Sequence, residues 1–388
     1  MKVVLVSLSD GIADPRPFRT AQVLADAGHT VTQVGYTSNV LVPGIRNWEY
    51  IGVDPKPVFS SIFRLLLGRL VILIGPSGYA AEVWLKRLLP KHLKSTLEFY
   101  SADCYIAMDY SLLPMLAELS DRYKGRLCYE AREYYQGQNH SDFLWKISMP
   151  RVVRRIEGTY INKCSIITTV SKGISKLLFE NYGLRDLPEV VYGFPNEELR
   201  IRNKHSYSRK LVFHGNLSSD REVIRFIRAF DFEKAQTTFT IRGNGSKEYV
   251  KALRSLTSSR KYRNTVNVEK SVPYSDLIRV TAEYDFGLIP WQNMRPQKKF
   301  SMPNKLFEYL TAGLPIICTS GSEIADLVKE HNIGLVFSYD RIQLLVDRLR
   351  ELDDSNYEIM KKNVSQFVHN FGFITQSRKI LDLYNNLS

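Results

Sequence analysis

The chain has 388 residues, 44% of them hydrophobic, with a formal net charge of +13. That length allows two domains of ordinary size, and the composition is that of a globular protein rather than a disordered or fibrous one. Four cysteines (Cys104, Cys128, Cys164, Cys318) are scattered, three of them in or beside apolar runs; this indicates neither a disulfide framework nor a zinc motif and suits a reducing compartment.

Met-Lys-Val-Val-Leu-Val-Ser opens the chain as a strand entering a loop, too short for a signal peptide. The strand is predicted over Val3 to Val6, with the loop from Ser7 to Ala13. Asp14 then caps a helix whose first residue is Pro15, and Gly28 ends it. A strand from Thr30 to Gly35 completes a βαβ unit with parallel strands.

The stretch Lys56 to Lys94 stands apart. It holds seven Lys or Arg against one acid, Glu82, mixed with Phe, Leu, Tyr and Trp84. Arg64, Arg69, Trp84, Lys86 and Arg87 suit a segment lying in the headgroup region of an anionic bilayer. Its apolar core, Val58 to Ile74, falls short of a spanning helix. An amphipathic core helix with a basic outer face is the plain alternative. Nucleic acid is the rival partner for positive charge, but no DNA- or RNA-binding motif accompanies it.

Further strands are predicted at Asp103 to Met108, Arg126 to Tyr129 and Ser165 to Val170, with a helix over Leu112 to Tyr123. Strands alternating with helices give an α/β class with doubly wound parallel sheets, and ligands belong at the carboxyl ends of the strands. A polar stretch, residues 196–210, reads as a linker. Leu211 to His214 restarts the pattern. Ser219-Asp-Arg-Glu222 reads as a capping box, and strands follow at Phe239 to Arg242, Val266 to Val268 and Phe286 to Ile289.

Next comes Ser301-Met-Pro-Asn-Lys-Leu-Phe-Glu-Tyr-Leu-Thr-Ala-Gly-Leu-Pro315, a predicted helix with Pro303 in its first turn and Gly313 at its end. Ser301, Asn304, Lys305 and Glu308 fall on one face. A cation and a carboxylate there, followed by a strand ending in Thr319-Ser-Gly-Ser322, suit a phosphate plus sugar hydroxyls. A surface helix with an ordinary Lys–Glu pair is the alternative. Phe367 to Leu387 is helical in pattern. The expected division is 1–195, a linker at 196–210, 211–366, and a final helix at 367–388 that crosses back to the first domain.

This last motif, with His214-Gly-Asn-Leu-Ser-Ser-Asp-Arg221, Ile241-Arg-Gly-Asn-Gly245 and Tyr284-Asp-Phe-Gly-Leu-Ile-Pro290, resembles the retaining nucleotide-sugar glycosyltransferases of the GT-B fold, family 4. Asp14-Pro-Arg-Pro-Phe-Arg19, Gly28-His-Thr-Val31, Tyr129-Glu-Ala-Arg-Glu133 and Thr169-Val-Ser-Lys172 extend the likeness to the first half. The resemblance implies two Rossmann-like domains facing across a cleft, with the acceptor on the first and the donor on the second. It implies that Arg221 and Lys305 hold the donor diphosphate and act in catalysis, and that Glu308 accepts hydrogen bonds from ribose hydroxyls. Gly215, Asn216, Gly243, Gly245, Asn304 and the loop Thr319, Ser320, Gly321 and Ser322 would complete the donor site. Asp10, Gly11, Arg16, Glu130 and Arg132 would contact the acceptor, with Glu133 and Asp109 as further catalytic contacts; helix capping is the other role open to Asp109.

The chain departs from that pattern in three places. Phe300 stands where many members carry a Glu near the donor sugar, Asn216 where many carry Arg, and Arg132 where the family usually has His. A guanidinium stays protonated, so Arg132 suits an anionic group and not a base. The resemblance implies transfer of a hexosyl-type sugar to an acceptor hydroxyl with retention. Neither a metal nor a cofactor is expected, because Arg221, Lys305 and helix termini supply the charge. The expected partners are a nucleotide-sugar donor, a glycan or lipid-linked acceptor of bacterial surface polysaccharide synthesis and an anionic membrane surface. The expected location is the cytoplasm, peripheral on the inner face of the plasma membrane. A nucleotide-sugar epimerase on the same fold and a non-catalytic partner subunit are the alternatives.

Overall fold

The structure, a computed structural model, describes residues 1–40, 42–55, 89–90, 92–138, 143–200, 207–292 and 295–387. The membrane segment anticipated at Arg64, Arg69, Trp84, Lys86 and Arg87 lies outside the described residues. The chain divides into two units: Met1–Val191 with Gln376–Ser388, and Tyr192–Thr375.

The first unit runs β1 (Lys2–Val6), α1 (Pro15–Asp26), β2 (Thr30–Tyr36), β3 (Trp48–Val53), α2 (Leu93–Leu97), β4 (Cys104–Ala107), α3 (Leu113–Tyr123), β5 (Arg126–Ala131), α4 (Phe143–Tyr160), β6 (Ile166–Thr169), α5 (Lys172–Tyr182) and β7 (Glu189–Val190). Its sheet is parallel throughout, in the order β3-β2-β1-β4-β5-β6-β7. Asp14 caps α1 by accepting from the Arg16 N–H, and Pro15 occupies the first turn, where a missing N–H costs nothing. The strands of the centre are buried on both faces, as the apolar runs Val3–Val6 and Cys104–Ala107 require.

The second unit runs β8 (Lys210–His214), α6 (Val223–Ala229), β9 (Thr238–Arg242), α7 (Lys247–Thr257), β10 (Val266–Glu269), α8 (Tyr274–Thr281), β11 (Phe286–Ile289), α9 (Pro296–Phe300), α10 (Asn304–Thr311), β12 (Ile316–Thr319), α11 (Glu323–Glu330), β13 (Gly334–Phe337), α12 (Ile342–Glu351) and α13 (Asp354–Phe371). Its parallel sheet has the order β10-β9-β8-β11-β12-β13. Its core joins Phe213, Phe226, Phe230, Phe239 and Phe286 with Tyr357 of α13. The last helix, α14 (Phe373–Asn385), passes at Gln376 into the first unit, where Lys379 meets Glu189 at 2.5 Å and Tyr384 is buried.

Several local expectations differ from the structure. Ser219-Asp-Arg-Glu222 is not a capping box: Ser219–Arg221 forms a single 3-10 turn and Glu222 adopts φ 56° ahead of α6. Glu222 instead receives Arg225 at 3.1 Å and the Gln292 N–H at 3.2 Å. Ser301 ends α9 in extended backbone, so it does not share the α10 face, and Pro303 is the cap of α10 rather than its first residue. Tyr207, inside the predicted linker, is buried and stacked on Tyr357 with ring centres 4.6 Å apart. The C-terminal helix is two helices, broken at Gly372, where a Cβ would strike the Val368 carbonyl.

Candidate functional site

In each sheet the winding reverses between the first strand and the fourth, at β1/β4 and at β8/β11, so a crevice opens outside their carboxyl ends. The second unit places its chemistry there. β8 ends in His214 with Gly215 after it, β11 in Ile289 with Pro290 and Trp291 after it, and α10 follows in the chain.

Lys305 and Glu308 sit one turn apart on α10, and both are buried. The Lys305 ammonium lies 3.7 Å from the Phe213 ring centre and 5.6 Å from that of Trp291. It has no hydrogen-bond acceptor among the described residues. Burial, and then the charge of Arg221, hold it well below lysine's ordinary pKa. Arg221, at the end of the 3-10 turn, stands 5.3 Å from the same Trp291 ring and 3.6 Å from the Asp220 carboxylate. Trp291 thus lies against both cations. Lys298 of α9 joins them: its ammonium donates to the Asp220 carbonyl at 2.6 Å. Glu308 is held by His214, Nε2 to Oε2 at 2.7 Å.

The loops after β8 and β9 zip together. The Gly215 N–H donates to the Arg242 carbonyl and the Leu217 N–H to the Asn244 carbonyl. A Cβ at Gly243 would collide with the Gly215 carbonyl and one at Gly245 with that of Leu217, so neither position admits a side chain. Gly215 itself takes φ 117° and leaves room for the Lys305 ammonium, which a Cβ there would meet at 3.3 Å. Asn216 is exposed beside it. Gly243, Asn244 and Gly245 line a groove of about 640 Å³ together with Lys247, Lys251 and Lys270. Asn304 opens α10 half-buried.

The loop after β12 is partly committed elsewhere. The Thr319 hydroxyl donates to the Trp291 carbonyl, and the Ser322 hydroxyl caps α11 by accepting from Ala325. The Ser320 N–H is taken by the Phe337 carbonyl at 2.7 Å, so this amide is committed within the unit. Gly321 supplies the φ 80° turn.

On the first unit the expected acceptor residues separate into two sets. Arg16 and Glu130 form a buried ion pair with each other, and Arg16 also donates to the Val191 carbonyl at 2.8 Å. With Thr20 on the second Glu130 oxygen at 3.4 Å, this pair holds α1 to β5 and is closed to an acceptor. Gly11 is likewise internal: its N–H meets the Tyr50 hydroxyl and its carbonyl accepts from Gln33. Asp10 folds back on the Ile12 and Ala13 N–H groups at 3.0 Å.

The other set gathers at the carboxyl ends of β1, β4 and β5. Arg132 donates to Asp14 at 2.6 Å and to the Met108 carbonyl at 2.9 Å. Asp109 caps the turn Tyr110–Leu112 by accepting from the Ser111 N–H and hydroxyl, and burial raises its carboxyl pKa. Glu133 is exposed and receives Gln138. His214, Trp291 and Lys298 were not singled out as site residues from the sequence. The Trp that follows Pro290 at the end of a buried strand was the available signal for one of them.

Residues 226–376 match the family described as the glucosyltransferase 3-like C-terminal domain. No curated protein matches the chain. Among solved structures, Anabaena HepE in complex with UDP-glucose superposes with a TM-score of 0.68 at 13% identity over 100% of both chains. WaaG, a glycosyltransferase involved in lipopolysaccharide biosynthesis, gives 0.66 at 16% identity over 98% of this chain and 99% of its own. Sucrose-phosphate synthase from Thermosynechococcus elongatus gives 0.71 at 11% identity over 100% and 99%. The chain therefore has the GT-B fold of two Rossmann-like units.

Proposed function

We propose that this protein is a retaining glycosyltransferase that moves a sugar from a nucleoside diphosphate sugar to an acceptor hydroxyl. The observation that carries the reading is the grouping of Arg221, Trp291, Lys305 and Glu308 at the β8/β11 switch point. A buried ammonium with no hydrogen-bond acceptor among the described residues, next to an arginine, is a site prepared for an anion. A carboxylate one helical turn away suits vicinal hydroxyls, because it only accepts and they donate. The leaving diphosphate gains charge as the glycosidic bond lengthens, so Arg221 and Lys305 stabilise it more in the transition state than in the ground state. This charge comes from side chains, so the reading is metal-independent.

Retention follows from front-face displacement. The C1–O bond to the diphosphate breaks, the acceptor oxygen bonds to C1 from the same side, and its proton passes to the departing phosphate oxygen. No covalent enzyme intermediate is needed. Asp109, Arg132 and Glu133 are the acceptor-side groups that remain once Arg16, Glu130 and Gly11 are assigned to structure. Asp109 and Glu133 offer carboxylates to acceptor hydroxyls, and Arg132 offers a fixed cation.

The acceptor in this reading is lipid-linked, presented at the cytoplasmic face of a membrane during surface polysaccharide synthesis. Its support is the sequence from Lys56 to Lys94, where basic residues alternate with Phe, Leu and Trp. No described helix is long and apolar enough to cross a membrane. Replacing Arg64, Arg69, Lys86 and Arg87 with Gln is expected to reduce sedimentation with phosphatidylglycerol vesicles and not with phosphatidylcholine vesicles. Full retention on the anionic vesicles removes the membrane proposal.

The donor proposal is tested with UDP-glucose and UDP, the ligands held by HepE. Wild-type protein is expected to rise in Tm with UDP and to release UDP slowly from UDP-glucose. Glu308→Gln is expected to keep its fold and bind UDP about tenfold more weakly, the loss of charge-assisted hydrogen bonds. Absence of affinity for UDP and for other nucleoside diphosphates overturns the reading.

A further inference from the structure

His214 is the last residue of β8 and is 3% exposed. Its position is fixed from several sides. The backbone N–H donates to the Tyr309 hydroxyl at 3.0 Å, and the two rings lie 4.5 Å apart. Tyr309 reaches this place because Gly287 of β11 has no side chain; a Cβ there would overlap the tyrosine ring. Nε2 is 2.7 Å from Glu308 Oε2, and Nδ1 is 3.5 Å from the Thr281 hydroxyl of α8.

These contacts assign the protons. A carboxylate can only accept, so Nε2 must carry the hydrogen, and Nδ1 is left to accept from Thr281. Burial, with Lys305 and Arg242 as neighbouring cations, disfavours a second proton even against the carboxylate. The imidazole therefore favours its neutral form and donates from Nε2 to one Glu308 oxygen. The other oxygen keeps its full accepting capacity.

We propose that His214 is a positioning residue for nucleotide recognition, holding Glu308 through an Nε2–H···Oε2 hydrogen bond so that the carboxylate reads the 2′- and 3′-hydroxyls and makes the site prefer ribonucleotides over deoxyribonucleotides. This rests on the donor-site reading above. A carboxylate aimed by a fixed donor matches a diol with a defined spacing. One free to rotate loses most of that match, since a hydrogen bond depends steeply on angle. His214 touches Glu308 and not the ligand, so its removal affects hydroxyl recognition and leaves the diphosphate cations in place.

The test measures binding of UDP and 2′-deoxy-UDP by calorimetry to wild type, His214→Leu and His214→Gln. Wild type is expected to prefer UDP by about tenfold, the worth of one good hydrogen bond to a charged group. His214→Leu should weaken UDP, which presents both hydroxyls, more than 2′-deoxy-UDP, which presents one, so that the preference falls to about twofold or less. His214→Gln, whose amide can donate, should recover part of the preference. A His214→Leu protein that is folded and keeps the wild-type ratio overturns the proposal and leaves the donor reading intact. A wild type that binds neither nucleotide overturns both.

Should the leucine variant not fold, ¹⁵N chemical shifts of the wild-type imidazoles decide. The Nε2–H neutral tautomer of His214 across pH 6 to 8 supports the proposal. An Nδ1–H tautomer or an imidazolium in that range overturns it.

Discussion

The ammonium of Lys305 rests 3.7 Å from the centre of the Phe213 ring, at the carboxyl ends of the central strands, where its only close carboxylate on the same helix, Glu308, is held by His214. An ammonium stripped of water and left without an acceptor is costly, and burial with Arg221 nearby holds its pKa well below the ordinary value. The unfolded chain keeps that proton up to about pH 10.4. Between the depressed folded value and that pH, the unfolded state binds more protons, so this residue makes stability rise with pH. Lys305→Met is expected to raise stability at neutral pH by roughly 1–2 kcal/mol, as replacement of buried charges by apolar groups commonly does, and to abolish UDP binding. Urea melts and calorimetry check both halves. A destabilised Lys305→Met with normal UDP affinity contradicts the assignment.

A diphosphate bound beside Lys305, as proposed, would favour the charged ammonium that burial disfavours. Calorimetry of UDP binding across about pH 7 to 10, in buffers of different ionisation enthalpy, should therefore report proton uptake.

Arg221 and Trp291 form the second relationship at the site, 5.3 Å from guanidinium carbon to ring centre. Arg221→Gln should lower kcat by about 10²–10³-fold, the effect of removing one preorganised charge from a developing anion. Trp291→Leu removes the ring that both cations face and should lower kcat/KM by about tenfold. Steady-state kinetics with UDP-glucose read both. Equal effects on KM alone would place Arg221 in uniform substrate binding instead.

Much of this site was legible because its residues are local in sequence. Lys305 and Glu308 share a helix face by spacing, and the apolar run Leu314 to Cys318 that follows suits a covered strand, which the structure places at Ile316–Thr319. The two glycines of Ile241-Arg-Gly-Asn-Gly245 were expected at the donor nucleotide, and the structure gives them a further reason, the carbonyls of Gly215 and Leu217 that a Cβ at either position would strike. What failed depended on distant partners. Glu222 looked like the end of a capping box, yet its carboxylate is claimed by Gln292, 70 residues away. Arg16 and Glu130 are 114 positions apart, and no periodicity connects them. The edge strand Trp48–Val53 carries a charged Glu49 and is partly exposed on both faces, so it lacked the apolar run that marked the central strands.

The Arg16–Glu130 pair separates a structural from an acceptor-binding role. Arg16→Met leaves a buried carboxylate unpaired and should cost about 3–5 kcal/mol, whereas the double replacement Arg16→Met with Glu130→Leu should restore most of it. Urea denaturation measures this cycle. A stable Arg16→Met protein with a raised acceptor KM would return Arg16 to the acceptor site.

Glu157 of α4 carries a pH dependence of its own. It is 1% exposed and accepts from the Tyr129 hydroxyl at 2.7 Å and the Tyr182 hydroxyl at 2.5 Å, while Gln136 donates to Tyr182 at 2.6 Å. Burial pushes its carboxyl up to about 7 from 4.5, against the pull of those hydrogen bonds. Between these two values the folded protein holds a proton that the unfolded chain has lost. Stability from this group is therefore fully present below about pH 4.5, declines as pH rises toward 7, and stays lost above it. The shift bounds the loss at about 3 kcal/mol. Glu157→Gln keeps the shape and cannot ionise, so its stability relative to wild type should be near level at pH 5 and higher by up to that amount at pH 8. Thermal and urea unfolding across pH 5 to 8.5 follow the difference. A gap between the two proteins that does not change with pH would mean that Glu157 stays ionised in the fold, with Tyr129 and Tyr182 fully compensating its burial.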